Sequence, residues 1–191
     1  MTKIVLASSS PRRFELLTKA GFELEVVKPD CEENVPQGLK PEEIVRFLAE
    51  LKGKTVISST NYSDLPVLAA DTIVVLENQV IGKPKDRADA EKILETLSGK
   101  THQVYTGVAI FFRGEKSVFS VKSDVTFKTL SKNEISSYCD TPEPYDKAGA
   151  YAIQGISAFM VRGINGSYTN VIGLPMCEVF EQFQKLGVVK L

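Results

Sequence analysis

The chain has 191 residues, 43% of them hydrophobic and 25% charged, with a net charge of −1. At this length a globular protein buries roughly 70% of its unfolded surface and needs no disulfide or metal for stability. The near-neutral charge disfavours a non-specific nucleic-acid binder, and no apolar run reaches the ~18 residues of a membrane span.

Cys31, Cys139 and Cys177 are odd in number and far apart, and none forms a Cys-x-x-Cys pair. That pattern fits a reducing compartment rather than a disulfide framework or a zinc site. The leading apolar run is too short for a signal-peptide core, so the chain reads as cytoplasmic, with neither membrane nor nucleic acid as partner. His102 is the one histidine and falls in the turn-like Gly99-Lys100-Thr101-His102, where a surface position is expected.

The elements alternate along the chain. The four apolar residues Ile4 to Ala7 read as a short buried strand, followed by Ser8-Ser9-Ser10-Pro11-Arg12-Arg13. Proline at a helix start and serine before it predict a helix from Arg12 to Ala20, ended by Gly21. Phe22 to Lys28 alternates as a half-buried strand. Pro41 opens a second helix with Ile44, Phe47, Leu48 and Leu51 at helical spacing, ending near Lys52. Val67 to Leu76 is a long strand, turned at Glu77-Asn78 into Gln79 to Gly82. Asp86 caps a third helix that stops at Gly99.

Val104 to Phe112 and Val118 to Phe127 form two long strands joined near Arg113-Gly114. Ser131 to Glu134 is a capping box opening a fourth helix. Strands are expected at Ala150 to Ile153 and Ala158 to Ile164, and Pro175 opens a last helix. No repeat or linker interrupts the chain, which reads as a single α/β domain over residues 1–191 with a mixed, twisted sheet.

Several residues carry chemistry. Ser8 to Arg13 combines hydroxyls, two guanidinium groups and the N–H-rich end of a helix, an arrangement suited to an anion such as phosphate. Asp71 interrupts an apolar strand, which is costly unless the carboxylate is paired, bound to a metal or facing a cleft. Glu32 and Glu33 are adjacent acids. Lys52 either complements a helix end or serves a site. Lys83 sits in the stiff Gly82-Lys83-Pro84 turn. Gln154, between Ile153 and Gly155, has an amide that either bonds the local backbone or reads a nucleobase edge. No Walker-type loop, dinucleotide fingerprint or Gly-x-Ser-x-Gly elbow is present.

Taken in order, Leu6-Ala7-Ser8 through Arg13, Ala70-Asp71-Thr72, Gly82-Lys83-Pro84, Leu97-Ser98-Gly99 with Tyr105-Thr106-Gly107, Asp146 through Tyr151, Ile153-Gln154-Gly155 and Gly173-Leu174-Pro175 resemble the motifs of the Maf family of nucleoside triphosphate pyrophosphatases. The resemblance implies an elongated, strongly twisted mixed sheet with helices around it and two lobes flanking a cleft, akin to inosine triphosphatases. It implies hydrolysis of a nucleoside triphosphate to the monophosphate and pyrophosphate, with Mg²⁺ or Mn²⁺, in a cytoplasmic homodimer.

By the same resemblance Asp71 is the catalytic residue. Ser8, Arg13, Glu33, Lys52 and Lys83 handle phosphate and metal, with Asp71 and Glu33 as the metal ligands. Arg12, Thr72 and Gln154 match the subgroup acting on dTTP and UTP, a pattern that also fits modified pyrimidine nucleotides. The alternatives are a pyrophosphatase for 7-methyl-GTP and a nucleotide-binding regulator of cell division and septum formation. Gly53 departs from the family's usual alanine and predicts fraying of the helix at Lys52.

Overall fold

The fold is described, from a computed structural model, for residues 2–59, 62 and 64–189. Among the described residues, seven strands and six α-helices follow one another as β1 (Lys3–Ala7), α1 (Pro11–Lys19), β2 (Glu23–Val26), α2 (Pro41–Ser59), β3 (Val67–Leu76), β4 (Gln79–Ile81), α3 (Arg87–Leu97), β5 (Thr101–Phe112), β6 (Glu115–Phe127), α4 (Lys132–Cys139), β7 (Val161–Asn165), α5 (Tyr168–Ile172) and α6 (Met176–Lys185). The strands form one mixed sheet in the order β2-β1-β3-β5-β6-β7, with β4 paired to β3. β1 is parallel to both β2 and β3, whereas β4 and β7 pair antiparallel. The α/β class read from the sequence is the class found.

The chain divides into two compact units, Met1–Asp71 with Thr106–Val121 and Gly173–Leu191, and Thr72–Tyr105 with Lys122–Ile172. In the first, Ile4 and Leu6 of β1 pack with Leu68 and Ala70 of β3, Leu17 of α1, and Val179 and Phe183 of α6. The alternate residues Val5, Ala7, Val67 and Ala69 pack with Val56 of α2. Helices therefore cover both faces of β1 and β3, which is why these strands read as continuous apolar runs rather than alternating ones. In the second unit, Val74, Leu76, Val104, Val125 and Phe127 pack against Ala90, Leu94 and Leu97 of α3 and Ile135, Tyr138 and Cys139 of α4.

Local chemistry sets most boundaries. Glu77 and Asn78, and again Arg113 and Gly114, all have positive φ, as two-residue hairpin turns matching strand twist require. The Asp86 side chain caps α3 by accepting from the Asp89 N–H, and Ser131 with Glu134 closes the expected capping box on α4.

Four sequence expectations are corrected. α2 continues past Lys52 to Ser59, and Gly53 is buried inside it. A Cβ at Gly53 would lie 2.4 Å from Phe111 Cε2, so this glycine permits close packing rather than fraying the helix. His102 is fully buried, with its Nε2 2.8 Å from the Tyr151 hydroxyl, because it lies in β5 and not in a turn. Residues 150–153 are not a strand: Gly149 and Ala150 have positive φ, which breaks extended pairing. Ala158 falls in a 3-10 helix at Ile156–Met160, and β7 begins only at Val161.

Candidate active site

The parallel register pairs Val5 with Val67 and Ala7 with Ala69, so Ser8 leaves β1 beside the stretch of β3 that carries Ala70 and Asp71. The serine before Pro11 does not cap α1, since Ser10 makes no side-chain cap. Ser8 does the local work instead. Its Oγ accepts from the Ser10 N–H at 3.2 Å and from Arg13 Nη1 at 3.1 Å. Arg13 also donates from Nη1 to the Ala70 carbonyl at 2.8 Å and from Nε to the Gly173 carbonyl at 2.9 Å. One guanidinium thus ties together the end of β1, the residue before Asp71 and the loop leading to α6. Burial lowers its pKa from the ordinary arginine value and Asp71 opposes that shift; the group stays charged at neutral pH.

Lys52 is brought inward by α2. The buried stripe of this helix runs through Val45, Leu48, Ala49, Gly53 and Val56, one position away from the stripe read from the sequence. The difference arises because Ala49 and Gly53, two small residues, let the helix approach the sheet. A Cβ on Gly107 of β5 would sit 2.1 Å from the Val45 carbonyl oxygen, so helix and strand touch backbone to backbone there. That approach carries Lys52 to Asp71: Nζ lies 2.5 Å from Asp71 Oδ1 and 3.0 Å from Glu33 Oε1. The Lys52 and Asp71 side chains are 14% and 13% exposed, against 49% for Glu33. Glu32, by contrast, turns away to accept from Asn34.

Ser8, Arg13, Glu33, Lys52 and Asp71 are therefore one connected cluster. Arg12, half-buried on α1, makes no hydrogen bond or ion pair among the described residues. The cluster also meets a simple test for a divalent cation. Two carboxylate oxygens from separate segments converge on a single cationic atom, and Mg²⁺ typically takes one or two carboxylates plus substrate phosphates. No group of three or more His, Cys, Asp or Glu side chains suited to a metal occurs among the described residues.

Thr72, Lys83 and Gln154 belong to the second unit. Thr72 follows Asp71 in β3 and is half-buried. Lys83 is exposed in a turn pinned at Gly82, whose carbonyl accepts from the Gly149 N–H at 3.0 Å. Gly149 has φ +73 and a Cβ there would lie 3.0 Å from Val74, so two of the sequence motifs meet where a side chain has no room. Gln154 is exposed on a turn between two 3-10 helices. Glu143, unremarked in the sequence, lies under that turn and accepts from the Ile156 N–H, the Ser157 N–H, the Ser157 hydroxyl and the Tyr138 hydroxyl. Nothing in Glu143-Pro144 announces this role, because all four donors are supplied by tertiary contacts.

A model of the family described as Maf-like protein matches residues 3–186. The chain belongs to the Maf family. Relatives agree over nearly the whole length: a dTTP/UTP pyrophosphatase of Geotalea uraniireducens (strain Rf4) is 47% identical, covering 99% of this chain and 97% of that protein. One of Geobacter sp. (strain M21) is 48% identical and one of Bacillus anthracis 43%, each covering 98% of this chain and 97% of its relative. The solved structure of the Staphylococcus aureus Ham1 protein superposes with a TM-score of 0.51 at 15% identity, covering 95% of this chain and 99% of that one. At that identity the likeness is one of fold. No helix among the described residues is long and apolar enough to cross a membrane.

Proposed function

We propose that this Maf-family chain is a nucleoside triphosphate pyrophosphatase acting on dTTP and UTP, releasing the monophosphate and pyrophosphate. The observation that carries this reading is the 43–48% identity, over nearly full length, to proteins named for that activity. The cluster around Asp71 supplies the chemistry. Asp71 is the general base: Lys52 holds it at Oδ1, orienting the carboxylate, and it takes the proton from a water attacking the α-phosphorus. Arg13 fixes the backbone next to Asp71 through the Ala70 carbonyl, so the base sits on a rigid strand rather than a loop.

Lys52 and Lys83 offset the phosphate charge, with Ser8, Arg12 and Arg13 as the other phosphate-side groups. Asp71 and Glu33 are the residues that would hold Mg²⁺ or Mn²⁺, which when bound neutralises charge developing on the leaving pyrophosphate. Arg12, Thr72 and Gln154 are the specificity residues. The Gln154 amide offers one donor and one acceptor, matching the N–H and carbonyl of a uracil or thymine edge. A cytoplasmic homodimer is the expected assembly.

Pyrophosphate release from a panel of dTTP, UTP, CTP, GTP, 7-methyl-GTP and modified pyrimidine triphosphates, with Mg²⁺ or Mn²⁺, tests this function. The expected result is highest kcat/KM on dTTP and UTP. Preference for 7-methyl-GTP or another purine would sink it.

A further inference from the structure

Gln154 and Gly155 occupy a turn with no strand partner, so something else must fix where the Gln154 amide points. The answer lies eleven residues earlier in the chain. Glu143 Oε2 accepts from the Ile156 N–H at 2.8 Å, and Oε1 accepts from the Ser157 N–H at 3.1 Å, the Ser157 hydroxyl at 2.9 Å and the Tyr138 hydroxyl at 3.1 Å. The same carboxylate fills the space beside Gly155, where a Cβ would lie 2.1 Å from Oε2. Glu143 is itself held: Lys147 Nζ donates to its carbonyl at 2.8 Å. Burial works against its charge, yet the donors from Ser157, Ile156 and Tyr138 outweigh burial and hold its pKa below the usual carboxylate value.

A carboxylate with four protein donors is a poor candidate for chemistry and a strong anchor. Its donors are the two backbone N–H groups immediately after Gly155, the hydroxyl of the second of those residues, Ser157, and a buried tyrosine of α4. The Ser157 hydroxyl, whose proton goes to Glu143, extends the anchor to the other side of the turn by accepting from the Ala152 N–H at 2.9 Å. The turn carrying Gln154 is therefore clamped on both flanks through one carboxylate.

We propose that Glu143 is a positioning residue for base selection, seating the Gln154-Gly155 turn so that the glutamine amide is presented in one orientation. This rests on the assignment of Gln154 to the base. Glu143→Gln is nearly isosteric but replaces one acceptor oxygen with an NH₂ facing a backbone N–H. It is expected to raise KM for dTTP and UTP about tenfold, the effect of losing one hydrogen bond to a charged group, while kcat stays within about threefold. The ratio of kcat/KM for dTTP over GTP should fall by a similar factor. Gly155→Ala should give the same signature, and the double variant should be little worse than either single one, because both act at one contact.

Gln154→Ala separates the two readings. If it lowers the dTTP over GTP ratio while Glu143→Gln leaves that ratio unchanged, the proposal is overturned and the assignment of Gln154 stands. If Glu143→Gln lowers the ratio and Gln154→Ala does not, Gln154 is removed as the reader and the proposal, which rests on it, falls with that assignment. An equal loss of kcat on every triphosphate in Glu143→Gln, with the ratio unchanged, also overturns the proposal and leaves Glu143 a structural prop.

Discussion

Lys52 Nζ lies 2.5 Å from Asp71 Oδ1, and the same nitrogen lies 3.0 Å from Glu33. One ammonium thus compensates two carboxylates, and the two partners of the inner pair are not equivalent. Removing the Asp71 charge leaves Lys52 paired with Glu33. Removing the Lys52 charge leaves two acids facing each other with no cation between them.

This asymmetry predicts different outcomes for two variants. Asp71→Asn keeps shape and fold and should lose turnover by about 10² or more, the scale of a missing general base. Lys52→Met should also lose activity and in addition lower stability by about 2–4 kcal/mol, as expected when one partner of a largely buried pair is deleted. Steady-state kinetics and thermal melts of both proteins, side by side, check this. Near-normal turnover in Asp71→Asn would return Asp71 to a structural role.

The ammonium also occupies the place between the carboxylates that a divalent cation would take. In the nucleotide-free protein Mn²⁺ should therefore raise the melting temperature of Lys52→Met more than that of the wild type. It should do little in the Asp71→Asn/Lys52→Met double variant. Stabilisation by a ligand follows its affinity for the folded state, so a melting series against Mn²⁺ concentration reads this directly. Identical Mn²⁺ responses in all three proteins would remove Asp71 and Glu33 as metal ligands.

The approach of α2 to β5 depends on Gly107, where an added Cβ would meet the Val45 carbonyl oxygen at 2.1 Å. Backbone cannot rotate aside as a side chain can. Gly107→Ala should cost about 2 kcal/mol or more and, by pushing α2 outward, should separate Lys52 from Asp71 and reduce turnover. Gly163→Ala is the control: nothing lies within 4 Å of its Cβ position, and stability should change by about 0.5 kcal/mol or less. Denaturant titrations of both variants decide whether close approach, rather than the loss of glycine as such, is responsible.

His102 gives the fold a pH dependence away from the candidate site. Burial lowers its pKa from 6.5 to about 4, and its Nδ1 has no hydrogen-bond partner among the described residues. The unfolded chain takes up a proton below 6.5 that the folded protein refuses until about 4. Stability from this group is complete above pH 6.5, falls as pH drops through that window, and changes no further below about 4. The full loss is about 3 kcal/mol. His102→Gln should flatten this acid limb in a series of melts between pH 4 and 8, whatever its effect at neutral pH.

Much of this molecule is legible before folding is considered. The apolar runs Ile4 to Ala7 and Val67 to Leu76, the cap at Asp86, the box at Ser131 and Glu134, and the two hairpin turns are all local signals, and the structure has them there, with β1 starting one residue earlier at Lys3. Asp71 is conspicuous for an equally local reason, a charge inside an apolar strand. The misplaced elements share a cause of another kind. Residues 150–153 have the composition of a strand, but the backbone is left-handed at Gly149 and Ala150 and residues 148–150 form a 3-10 turn instead. His102 looks like a turn residue until Phe127 and Tyr151 close around it.

The sequence by itself determined the elements, the family motifs and the residue types a triphosphate site needs, because these follow from short-range spacing and side-chain chemistry. Which groups meet was decided only by the tertiary structure. Lys52 reaches Asp71 across nineteen residues because small residues on α2 and Gly107 on β5 allow a close helix–strand contact. Arg13 reaches Gly173 across 160 residues. Glu143 became visible only once four donors from a separate helix and turn had closed on its carboxylate. Such long-range pairings leave no periodic trace in the chain, since their partners are fixed by packing rather than by distance along it.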